Sequence, residues 1–186
     1  MGVSIYVGFY ASCLKYDPDI AVTLEQQFKA MNTVLVEQGV STHTEPTAIV
    51  DMKNRAASND FSYGKIFQLR QLYTDTMDGH SSESHLVCHS DFDGFYLPVE
   101  FHNVSNDKRI QGTFLGSSYE LMKELVSLAP ELGISLRDGI LCDEEAAEVN
   151  ARAWSSDRHS DELMAWIALF EAARLSIEHK SAIVFR

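Results

Sequence analysis

The stretch SDELMAWIALFEAARLSIEHK, from Ser160 to Lys180, constrains the fold more than any other. At helical spacing, Leu163, Trp166, Ile167, Phe170 and Ile177 cover one broad face. Met164, Ala168, Leu169 and Leu175 extend it. A surface helix needs only one apolar stripe, so this breadth predicts a helix buried on more than one side. The remaining elements must be arranged around it.

Candidates for those elements are legible. VSIYVGFY is rich in β-branched and aromatic residues and predicts a buried strand over Val3 to Phe9. Asp17 can then cap a helix whose first position is Pro18, where the missing N–H costs nothing. Ile20, Leu24, Phe28, Met31 and Leu35 line its inner face, and Gly39 ends it. TAIVDM reads as a short strand, and SYGKIFQLRQLYTDTM as a helix with Ile66, Leu69 and Tyr73 on one side. Ile110 to Leu115 suggests another strand. Ser117 and Glu120 form a capping box for a helix carrying Leu121, Leu125 and Leu128, which Pro130 and Gly133 end. DEEAAEVNARAW opens on three carboxylates, favourable at a helix N-terminus. Ser160 reads as the cap of the apolar helix, and SAIVFR as a final strand over Ala182 to Phe185. The expectation is an α+β fold over residues 1–186: a single globular domain with a mainly antiparallel sheet and about five helices packed on it.

The segment HSDFDGFYLPVE, His89 to Glu100, has the acidic spacing of an EF-hand loop, with Asp91, Asp93, Gly94 and Glu100 at positions three, five, six and twelve. Its first position is a nitrogen donor, and Pro98 stands where the exiting helix should run. FYLPVEF is strand chemistry instead. The reading is strand, tight turn at Asp91 to Gly94, strand, with Pro98 marking an edge or a bulge. A metal site on this His85–Asp93 hairpin is the sharper rival, with His85, His89, Asp91 and Asp93 as ligands. Cys88 is nearby in sequence but alternates to the other face. Glu171, Arg174 and Glu178 share one side of the apolar helix and read as a solvated face with local ion pairs, or as half of a buried polar site. The candidate binding residues are His89, Ser90, Asp91, Asp93, Tyr96, Glu171 and Arg174; none is assigned as catalytic.

The formal net charge is −12, which repels nucleic-acid backbones and anionic membranes. It suits a basic protein partner, for example one that itself binds nucleic acid. Direct partnership with nucleic acid or membrane is not expected, and no cofactor is implied. Three dispersed cysteines without a CxxC, and no secretory n-region before the first apolar run, fit a reducing cytoplasm. GxSxG, HExxH, Walker and GxGxxG motifs are missing.

Three blocks, HSDFDGFYLPVEF, GTFLGSSYELMKELVSLAPELGI and LFEAARLSIEHKSAIVF, together resemble a family of small, uncharacterised bacterial proteins. The likeness covers the C-terminal half and the opening MGVSIYVG, and it carries over no catalytic residue. The chain is also similar in general character to immunity proteins of polymorphic toxin systems. The favoured function is a non-enzymatic protein-binding module, an immunity-type inhibitor of a basic toxin in its sharpest form. The alternative is an enzyme that binds a small ligand or metal through the His85–Asp93 hairpin.

Overall fold

The computed structural model describes residues 2–77, 83–90 and 93–186. The elements run β1 (Gly2–Val7), α1 (Phe9–Tyr16), α2 (Pro18–Glu37), β2 (Asp60–Ser62), α3 (Tyr63–Thr76), β3 (Gly94–Leu97), β4 (Ser105–Asn106), β5 (Phe114–Ser117), α4 (Ser118–Leu128), a 3₁₀ turn (Ala129–Leu132), α5 (Asp143–Ala153), α6 (Ser160–His179) and β6 (Ile183–Phe185). The strands form one mixed sheet in the order β2-β1-β6-β3-β5-β4. Among the described residues, only β3 and β5 pair in parallel. The expected α+β architecture with a mainly antiparallel sheet is what the chain adopts.

Alternation along the strands explains why helices cover both sheet faces. Tyr96, Ile183 and Phe185 point into a core with α3, α4, α5 and α6, whereas Phe95, Leu97 and Val184 point into a core with α2. Every residue of α6 from Leu163 to Ala173 is buried. This helix packs on α3, α4, α5 and β1, which is the many-sided burial its sequence requires. The Trp166 ring stacks on Phe170 at 4.7 Å, and its Nε1 donates to the Leu125 carbonyl at 2.8 Å.

The local signals of β1 and α2 hold with one change. Strand β1 stops at Val7 because Gly8 takes φ 71°, and Phe9 opens α1 instead of closing the strand. The Asp17 carboxylate accepts from Ile20 N, Pro18 is the first residue of α2, and Gly39 at φ 72° lets Val40 N reach back to Leu35 O at 2.9 Å. TAIVDM is not a strand; it lies in the long connection 38–59.

Other boundaries differ for non-local reasons. Ile110 sits in a turn, and the strand foreseen there runs over Phe114–Ser117. The capping box at α4 is half formed. Ser117 Oγ accepts from Glu120 N, but Ser117 N donates to His85 Nδ1 at 2.8 Å, so the donor meant for Glu120 is already used. Helix α6 is capped at His159, whose N–H is held by Asp157 Oδ1, and Ser160 is its first residue.

Pro98 marks neither an edge nor a bulge: β3 is a central strand that ends one residue before it. Gly116 on β5 lies opposite Tyr96, and a Cβ there would meet the Tyr96 ring at 2.3 Å. Gly116→Ala is expected to destabilise the protein by about 1–3 kcal/mol through overpacking, read as a lowered urea midpoint with unchanged slope.

Candidate functional site: a histidine turn, two buried carboxylates and an acidic helix

Among the described residues from 83 to 93 there is no strand leading into β3. Residues 85–87 form a turn, so the His85–Asp93 hairpin does not exist as foreseen; β3 pairs with β5 and β6 instead. Of the turn predicted at Asp91 to Gly94, Asp91 lies outside the described residues. What holds the segment is side-chain chemistry from three elements. Glu124 of α4 accepts from Ser84 Oγ at 3.0 Å, His85 N at 2.9 Å and Leu86 N at 2.7 Å. Burial pushes its carboxyl up despite these donors. Arg70 of α3 donates to the carbonyls of Leu86 at 2.7 Å and Ser90 at 3.3 Å. Tyr96 of β3 donates from its hydroxyl to His85 O at 2.8 Å.

Both histidine rings of this turn are engaged inside the fold. His85 Nδ1 accepts from Ser117 N, so its proton sits on Nε2 and goes to the His102 carbonyl at 3.0 Å. A cation on either nitrogen would displace one of these bonds. The His89 ring stacks on Tyr96 at 4.0 Å and meets Phe185 edge-on. Its two nitrogens face the carbonyls of Ser90 at 3.2 Å and Phe95 at 3.1 Å. Burial holds its pKa down to about 4, so the ring is neutral near pH 7 and donates to one of the two. Burial likewise raises the Cys88 thiol, away from the thiolate a soft metal needs. Asp93 is half-buried; its carboxylate accepts from Gln111 Nε2 at 3.3 Å and its N–H reaches Ser90 Oγ at 3.4 Å. Among the described residues no three His, Cys, Asp or Glu side chains are grouped to hold a metal ion.

Glu171 and Arg174 belong to a different place. The solvated-face reading fails for Glu171, which is 0% exposed. Its carboxylate accepts from Arg55 N at 3.0 Å, Arg55 Nε at 3.1 Å, Arg55 Nη2 at 2.5 Å, Arg174 Nε at 3.0 Å and Arg174 Nη2 at 2.9 Å. Burial alone would raise this carboxyl; the bonds from Arg174 and Arg55 outweigh it and hold Glu171 below its ordinary value. Arg55 continues to Leu141 O and Asp143, and Arg174 to Lys53 O and Glu178. A second buried carboxylate, Glu45, accepts from His43 Nε2 at 2.6 Å, Ala182 N at 2.8 Å and Ser181 Oγ. Both clusters tie the connection 38–59 to the body of the protein. Arg55 and Glu45 sit in sequence without periodicity, and only their being charged residues in a long polar segment marked them out.

The outward chemistry is carboxylate. Between Glu131 and Glu148 the chain holds Glu131, Asp138, Asp143, Glu144, Glu145 and Glu148 against one base, Arg137. Helix α5 buries Ala146, Val149 and Ala153 against α6, which turns Glu144 and Glu148 outward, about 6 Å apart along the axis. Asp143 is bound to Lys53 and Arg55, and Glu145 accepts from Ser135 N. Glu131, Asp138, Glu144 and Glu148 are exposed and make no ion pair among the described residues. The helix is braced on both sides. Asn150 bonds Arg55 O and Ala57 N, and Arg152 bonds the carbonyls of Leu132 and Gly133. No helix among the described residues is long and apolar enough to cross a membrane.

No curated protein and no solved structure matches the chain. A family model matches residues 1–83 and 74–185, and its description speaks of DNA mimicry. That finding corrects the expectation that left nucleic acid out of the partnerships: what binds a DNA mimic is a protein whose own ligand is DNA. Matched from residue 1 to residue 185, the chain belongs to the family described as "Putative DNA-mimic protein".

Proposed function

We propose that the protein is a binding module that offers carboxylates in place of DNA phosphates to the DNA-binding surface of a partner protein. The observation that carries this reading is family membership in a chain of net charge −12 whose exposed carboxylates include several without a cation. Duplex DNA presents a charge about every 1.7 Å of axis, and proteins meet it with Lys and Arg. An acidic surface attracts the same side chains and speeds their encounter. A toxin nuclease is one such DNA-binding protein. The immunity-type inhibitor is then a case of the same interaction, with the mimic seated where the substrate would lie.

The test is competition. Proteins retained by the immobilised chain at low ionic strength are expected to elute with added duplex DNA and with salt, and to be DNA-binding proteins. Retention that duplex DNA leaves unchanged would overturn the proposal.

A further inference from the structure

The acidic face of α5 is bracketed by two exposed apolar side chains. Ile140, just before the helix, is 68% exposed, and Trp154, at its C-terminal cap, is 67% exposed. Leaving an indole in water is unfavourable, and exposed tryptophans of this kind are common anchors of protein interfaces. DNA phosphate has no counterpart to it. We infer that the outward face of α5 is the docking surface, with Trp154 as its apolar anchor and an arginine-rich DNA-binding surface as its occupant. This rests on the mimicry reading above.

Charge and shape select that occupant. Glu144 and Glu148 call for cations, and a guanidinium can pair with a carboxylate and also lie over an indole face, which an ammonium does less well. A second copy of the chain would bring the same carboxylates against these, and an anionic membrane would repel them. The face is also pre-organised. Loop 53–59 is bonded to one flank of α5 through Asn150, and residues 132–135 to the other through Arg152 and Glu145. Little ordering is left to be done on binding.

A photo-crosslinking amino acid, p-benzoylphenylalanine, placed at Ala151 leaves Trp154 intact, because Ala151 is exposed on the same face. The control is the same residue at Phe67, exposed on α3. Both full-length variants are irradiated in extract of the source cells, with and without excess duplex DNA. The expected result is an adduct from position 151 and not from 67, containing a DNA-binding protein and suppressed by duplex DNA. With that protein purified, Trp154→Ala is expected to weaken binding at least about 25-fold. Glu144→Gln with Glu148→Gln should weaken it and flatten its salt dependence.

A DNA-suppressed adduct from 67 alone moves the surface elsewhere and leaves mimicry standing. An adduct from 151 that duplex DNA does not suppress, or one to a second copy, overturns the occupant and counts against mimicry as well. No adduct at either position overturns the surface.

Discussion

Glu171→Ala is expected to lower the stability of the protein by about 3–5 kcal/mol, the range for removing one partner of a buried ionic cluster. The loss comes less from the attraction removed than from what stays behind. Arg55, whose side chain is 13% exposed, would keep a charge with Leu141 O and the exposed Asp143 as its remaining partners. Arg55 N would also lose its acceptor. The connection 38–59 would then be held to α6 mainly through Arg174 and Lys53 O. Urea unfolding followed by circular dichroism measures the effect, and a loss below about 1 kcal/mol would show that the cluster is not a stabilising centre. Glu171 also sets a pH window. Its carboxyl is held low in the folded state, so its contribution is present above the unfolded carboxylate range of about 4.3 and is lost as pH falls through the lower folded value.

His89 opens a second window at higher pH. A ring whose pKa is about 4 in the fold and about 6.5 when unfolded takes up its proton more readily in the unfolded chain. Its contribution is therefore fully present above about 6.5, falls as pH drops from there to about 4, and by then has cost about 3 kcal/mol. Glu124 works in the opposite direction, because burial raises its carboxyl and acid relieves it. The informative quantity is thus a difference between proteins. His89→Phe keeps the stack on Tyr96 and cannot be protonated. It is expected to lose some stability at pH 7, where the ring's hydrogen bond to a backbone carbonyl is gone, yet to show a smaller decline than wild type between pH 7 and pH 4. Equal declines would mean that the ring is not held neutral by its surroundings.

What the sequence disclosed, and what it hid, follows the range of the interactions. Pro18, Asp17 and Gly39 act within one helical turn, and their roles were readable from neighbours alone. The breadth of the apolar face of α6 was readable too, because it is a property of one segment. The turn at His85 was not. It is shaped by Glu124, Arg70, Tyr96 and Ser117, which are close only after folding. Glu171 is ambiguous in the sequence for the same reason: its i+3 neighbour Arg174 fits a surface pair as well as half of a buried site, and Arg55, which decides for the buried site, is 116 positions away. On the proposed docking side, the carboxylates of α5 were visible as a favourable helix start. Nothing in their order told which faced outward, or that Trp154 stays uncovered while Trp166 is enclosed.

The place of β6 bears on how the sheet can close. It is the strand that joins β2-β1 to β3-β5-β4, and its partner β1 comes from the opposite end of the sequence. A nascent chain still lacking residues 183–185 has two half-sheets with no hydrogen-bonded seam between them, and its apolar strand faces are only partly enclosed. The sheet therefore closes only through pairings such as Ile5 with Phe185, far apart in sequence, and contacts of that range form slowly. Until that seam forms, unpaired strand edges and apolar faces stay open to association with other chains.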